Sequence, residues 1–157
     1  MDYPTTTESR PRATAPTAKE KSAVQRSVTQ LLDALAPHKV VKRGDETHGP
    51  IEQHRTPGGC VLQARTAAVS VSWFADNRSQ DTLGELQINV WNGVVARGGG
   101  SYRRPTHATI VSERVACPTI AGDGCVWRTK DGVEFDTAGL AAHCAALLEQ
   151  QIKENAA

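Results

Sequence analysis

The chain has 157 residues, of which 39% are hydrophobic, and this length corresponds to one domain of ordinary size. Its 18 basic and 17 acidic residues give a formal net charge of +1, which argues against a dedicated binder of polyanions. No stretch approaches the roughly 20 apolar residues that span a bilayer, and the N-terminus lacks the basic start and apolar run of a secretory signal. We therefore expect a soluble, cytoplasmic protein that does not contact a membrane.

The N-terminal segment changes character at Thr17. Residues 1–17 are rich in Thr, Pro and Ala and have no hydrophobic period, so their burial cannot offset an ordering cost of roughly 1–2 kcal/mol per residue. Thr17 and Glu20 have the spacing of a capping box, and Pro37 ends the helix that they open. The apolar stripe of this helix is Val24, Val28, Leu31, Leu32 and Leu35. We predict a disordered tail over residues 1–17 and a single domain over residues 18–154.

The central part of the chain alternates polar and apolar residues with period two, which indicates strands. The alternation loses phase near Thr66–Ala68, which predicts a bulge or a break there. Asp131-Gly132 predicts a two-residue hairpin turn of type I′. The predicted strands are residues 38–43, 51–55, 60–74, 83–96, 109–115 and 125–130, with 60–74 and 83–96 forming a long hairpin.

A second helix follows the last strand. Asp136 is a favourable N-cap, and Phe135 before it can pack on Leu140 as a hydrophobic staple. The apolar stripe of this helix is Leu140, Cys144, Leu147, Leu148 and Ile152. The sequence therefore predicts an α+β fold, an antiparallel sheet of five to six strands with an N-terminal and a C-terminal helix packed on one face.

The cysteines offer one possible metal site. Cys117, Cys125 and His143 could meet where a strand loop approaches the last helix, but Cys117 and Cys125 are eight positions apart. Zinc sites usually begin with a close pair of ligands such as CxxC. We predict free thiols, including Cys60 and Cys144, and no metal or other cofactor.

A glycine-rich stretch over residues 96–105 combines backbone flexibility with three arginines. Phosphate-binding loops also need a helix directly after the glycines, and here the next segment resembles a strand. The sequence favours a solvated hairpin loop and leaves open an anion or nucleic-acid contact. The residues that could contact a ligand or partner in this region are Arg97, Tyr102, Arg103, Arg104 and His107.

The three tryptophans, Trp73, Trp91 and Trp127, each fall within a different predicted strand. In a chain with few aromatic residues, this distribution suggests one shared cluster. The cluster could be sheet packing, or it could form a groove in which the indoles contact a ligand or partner.

The sequence contains no motif for nucleophilic catalysis and no useful pair of carboxylates, which disfavours an enzyme. We expect a non-catalytic binding or accessory module that contacts a protein partner through its sheet face or edge. One alternative is a small ligand-binding protein or enzyme with a pocket between sheet and helices, lined by Trp73, Trp91 and His107. A second alternative is nucleic-acid binding through the Arg97–Arg104 loop.

Overall fold

The computed structural model describes residues 17–36, 51–75, 83–95 and 108–156. In chain order these residues form one helix, seven strands and a second helix. The elements are α1 (Ala18–Ala34), β1 (Glu52–Thr56), β2 (Gly59–Gln63), β3 (Ala67–Phe74), β4 (Glu85–Asn92), β5 (Thr109–Ala121), β6 (Gly124–Thr129), β7 (Glu134–Phe135) and α2 (Thr137–Ala156). The predicted α+β fold with a helix at each end of an antiparallel sheet is confirmed, but the sheet has seven strands rather than five to six.

Helix α1 begins at the predicted cap. The Thr17 hydroxyl accepts from the Glu20 backbone N–H at 3.1 Å, and the Glu20 carboxylate accepts from the Thr17 N–H at 3.0 Å. This reciprocal pair satisfies two of the N–H groups that a helix start leaves without partners. All five residues of the predicted apolar stripe are buried.

The strands pair in chain order from β1 to β7, each antiparallel to its neighbour. Because successive side chains of a strand point to opposite faces, alternate residues define two faces of the sheet. We call the face that packs on the helices the covered face, and the opposite one the open face. The covered face contributes Cys60, Leu62, Val69, Val71, Leu86, Ile88, Val90, Ala116, Cys125 and Trp127 to the same core as the apolar stripes of α1 and α2.

Two differences raise the number of strands, and the end of one strand also differs from the prediction. The break predicted near Thr66–Ala68 is present, because a tight turn, in which the Ala64 N–H donates to the Ala67 carbonyl at 2.8 Å, divides residues 60–74 into β2 and β3. The predicted end of a strand at residue 115 is wrong, because β5 continues through Pro118 to Ala121. A turn at Gly122 (φ +63°) then leads into β6, and the two-residue β7 pairs with β6. The predicted strand over residues 38–43 lies outside the described residues, as do residues 1–16 of the predicted tail.

The turn at Asp131-Gly132 connects β6 and β7, but it is not the predicted type I′ turn. A type I′ turn needs positive φ at both central residues, and here only Gly132 has it, at +90°. The Gly132 N–H donates to the Thr129 carbonyl, and the Thr129 N–H donates to the Val133 carbonyl, both at 2.9 Å. These bonds close a three-residue loop with glycine at its last position.

Side-chain hydrogen bonds join each helix to the sheet or its turns. Asp136 caps α2, since its carboxylate accepts from the Gly139 N–H at 2.7 Å, and Asn155 at the far end donates to the Thr66 carbonyl at 3.0 Å. Helix α1 spans the sheet from the β5–β6 turn, where Arg26 donates to the Asp123 carbonyl at 3.3 Å, to β1, where the Gln53 amide donates to the Leu32 carbonyl at 2.9 Å. Of the helices in the described ranges, none combines the length and apolarity needed to cross a membrane.

Candidate functional site

The structure separates the three tryptophans. Trp73 and Trp127 lie on the covered face, in edge-to-face contact with ring centroids 5.9 Å apart. Trp91 follows Val90 in β4, and because Val90 points to the covered face, Trp91 points to the open one. The expected cluster of three indoles is therefore wrong for Trp91, which does not line a pocket between sheet and helices.

Trp73 is placed as a packing residue. Its ring lies against Gly84, where a Cβ atom would come within 2.5 Å of the indole and where φ is +128°. The Trp73 indole nitrogen is buried and has no hydrogen-bond partner in the described part of the chain. This side chain therefore contributes area to the core, and contact with a ligand there remains a prediction.

The predicted contact residues of the glycine-rich stretch, from Arg97 through Tyr102, Arg103 and Arg104 to His107, lie outside the described residues. The chain on both sides of that stretch is described, and the two sides meet. Asn92 at the end of β4 pairs with Thr109 at the start of β5, and a Cβ atom on Gly93 would lie 3.0 Å from the Ala108 Cα.

Gln63 holds the chain immediately after β4. This buried side chain donates from its amide to the carbonyls of Ala64, Ala67 and Gly93 at 2.7–3.1 Å, and its amide oxygen accepts from the Val95 N–H at 2.8 Å. Because Gln63 points to the open face, residues 93–95 fold back over this corner of it. This role could not be recognised from the sequence, since all of these partners are main-chain atoms.

The three candidate metal ligands do not come together. Cys117 pairs with Arg128 on the open face, whereas Cys125 pairs with Ile120 on the covered face beside α1. His143 stacks on Phe135, with ring centroids 4.8 Å apart. Among the described residues no three potential ligands are grouped closely enough to hold a metal ion.

All four cysteines are free thiols, as predicted. Burial raises the pKa of the Cys144 thiol to about 12, and its neighbour Cys60 contributes to the shift. Burial also raises the pKa of Cys60, Cys117 and Cys125. Because the thiolate is the reactive form, these thiols lack the lowered pKa that a nucleophilic cysteine needs.

The centre of the open face carries neutral hydrogen-bonding side chains. On β3 and β4, Ser70 pairs with Asn89 and Ser72 pairs with Gln87, and all four are partly accessible to solvent. We call these four residues the polar row. Trp91 lies at one end of it and Phe74, which is 44% exposed, lies on β3 at the other end.

Trp91 has a defined orientation at the end of the polar row. Its indole nitrogen donates to the Ser70 hydroxyl at 3.0 Å, a position diagonal to Trp91 on the neighbouring strand. The residue directly opposite Trp91 is Ala68, which is fully buried. The ring therefore extends across β3 over Ala68, and the residue is partly accessible to solvent.

The open face is acidic. In the described strands its acidic and basic side chains, histidine apart, are four glutamates and one arginine, a formal charge of −3. Two of the glutamates have partners: Glu52 is 3.1 Å from His54, and Glu134 is 3.8 Å from Arg128. The five charged side chains are Glu52, Glu85, Glu113, Arg128 and Glu134.

The sequence contained a signal for this site. Leu86, Ile88 and Val90 define the buried phase of β4, so that Gln87, Asn89 and Trp91 belong to the opposite phase. A tryptophan in the polar phase of a strand is the feature that separates a surface aromatic residue from a core one.

No known protein family, curated protein or solved structure matches the chain.

Proposed function

We propose that the protein is a non-catalytic binding module that contacts a protein partner through the open face of its sheet. The observation that carries this proposal is the polar row of β3 and β4, with Trp91 held across Ala68 at its end. The two helices use the covered face for the core, so the open face is the broad surface that they leave available.

The residue types of this surface suit protein recognition. Tryptophan is enriched at protein interfaces because it offers a large contact area at a small cost in side-chain entropy. The bond from Trp91 to Ser70 lowers that cost further, because it orients the ring before any partner arrives. The serine and amide groups of the polar row can donate and accept hydrogen bonds at the main chain of a partner.

The charge of the open face supports a protein partner over a nucleic acid. Binding to nucleic acid depends on neutralising phosphates with basic side chains, and a surface with a formal charge of −3 would repel them. Contact through the predicted Arg97–Arg104 loop is a separate hypothesis, which measurement of nucleic acid in the purified protein would test.

The test is identification of a partner followed by reconstitution with purified components. We expect Asn89→Arg, in the centre of the polar row, to abolish binding while leaving the circular dichroism spectrum and the Tm unchanged, because Asn89 is not part of the core. The matched control is Gln30→Arg, which adds the same charge on the exposed side of α1. The proposal would be wrong if both variants bound the partner equally, or if nucleic acid were the only ligand.

A further inference from the structure

Two carboxylates of the open face have no cationic partner in the described part of the chain. Among the described residues Glu113 has no ion-pair partner, and the carboxylate of Glu85 accepts a hydrogen bond from the Gln87 amide at 3.2 Å. Each carboxylate can accept further hydrogen bonds. A cationic side chain at this position would be attracted by the negative charge and would also donate those hydrogen bonds.

The spacing of these groups follows β4. Glu113 on β5 pairs with Asn89 on β4. Along β4, Asn89 is two residues from Trp91 and four residues from Glu85. At roughly 3.3 Å per residue, Trp91 and Glu113 are about 7 Å apart along the strand direction, and Glu113 and Glu85 about 13 Å. An extended peptide has the same rise per residue, so its positions i, i+2 and i+6 would face these three groups.

Arginine is the cation that matches all three positions. Its guanidinium binds a carboxylate through two parallel hydrogen bonds, and it also stacks on the face of an indole. Lysine offers a single point charge and a weaker match to a planar surface. The polar row between the charged positions can bond to the main chain of the same peptide.

We propose that the open face binds an extended, arginine-bearing segment of a partner protein, laid along β4 with two arginines four positions apart on Glu113 and Glu85 and a further side chain on Trp91. This inference rests on the proposed function and specifies the chemistry of its partner. The negative charge of the open face favours a cationic partner segment. The distance between Glu113 and Glu85 determines how far apart the two arginines of that segment are.

The test uses the full chain and synthetic peptides that have no charged side chains other than two arginines, placed at different separations. Titration calorimetry should give the lowest Kd for a separation of four positions, and the Kd should rise with salt. We expect Glu113→Gln and Glu85→Gln to weaken this peptide by about two- to five-fold each, the range for partly exposed ion pairs. Glu149→Gln on the exposed side of α2 is the matched control and should leave the Kd unchanged.

Equal affinity at all separations, or equal weakening by Glu149→Gln, would show nonspecific charge attraction and overturn the inference. Replacing both arginines with lysine should raise the Kd, and an unchanged value would contradict recognition of the guanidinium. If Asn89→Arg abolished binding of an identified partner while no arginine peptide bound, this inference would be wrong and the proposed function would stand. Partner binding that Asn89→Arg left intact would remove both.

Discussion

Replacement of Gln63 tests how the sheet holds the chain after β4. Gln63→Leu keeps the approximate size of the side chain but removes every hydrogen bond that its amide makes. The Ala67 carbonyl still accepts from the Ala64 N–H, whereas the Ala64 carbonyl, the Gly93 carbonyl and the Val95 N–H each lose a partner. An unpaired buried group costs about 1–3 kcal/mol, and Val95 is only partly buried, so we expect a loss of about 3 kcal/mol in the free energy of unfolding.

Equilibrium unfolding in urea measures this loss directly. The matched control is Gln87→Leu, the same change at a partly exposed strand position, which we expect to cost less than about 0.5 kcal/mol. A second variant, Gln63→Glu, should be more destabilised at neutral pH than near pH 4, because only the protonated carboxyl can donate to the carbonyls. Unfolding of Gln63→Leu within about 0.5 kcal/mol of the wild type would refute the reasoning.

Three further predictions concern the helices and the core. Trp127→Ala should lower the free energy of unfolding by about 3–5 kcal/mol, as for other fully buried aromatic residues, and a loss below about 1 kcal/mol would contradict its place in the core. Thr17→Ala should cost about 1 kcal/mol by removing one half of the capping box, and Thr17→Ser, which keeps the hydroxyl, should restore stability. In labelling with a thiol reagent under native conditions, Cys117 should react first and Cys144 only at the rate of unfolding; equal rates would contradict the burial that raises the pKa of Cys144.

The helices could be predicted from the sequence because their signals are local. The Thr17–Glu20 pair and the apolar stripe after it lie within a few turns of one another, and the structure contains both. The strand boundaries were harder to predict where a strand contains a residue type that usually ends strands, or where a strand is very short. Pro118 indicates the end of a strand, yet β5 continues through it, and β7 is too short to show any alternation.

In the candidate site, too, the features that depend on local sequence could be predicted and those that depend on strand register could not. The phase of β4 already assigns Trp91 to the face opposite Val90, so the position of that indole could be read from the sequence. The pairing of Ser70 with Asn89 could not, because it depends on the register between β3 and β4. Gln63 was missed for a related reason, since its bonds join parts of the chain up to 32 positions apart.

The pairing of strands in chain order has a consequence for folding. Each strand can pair with the one before it once the connection between them closes, and the longest of these connections, between β4 and β5, has 16 residues, so the entropic cost of each closure is modest. Contact between α1 and α2 instead joins parts of the chain more than 100 positions apart. We therefore expect the hairpins to assemble early and the two helices to dock last, which leaves the covered face, with Trp127 and the Cys144 side of α2, exposed in the final intermediate.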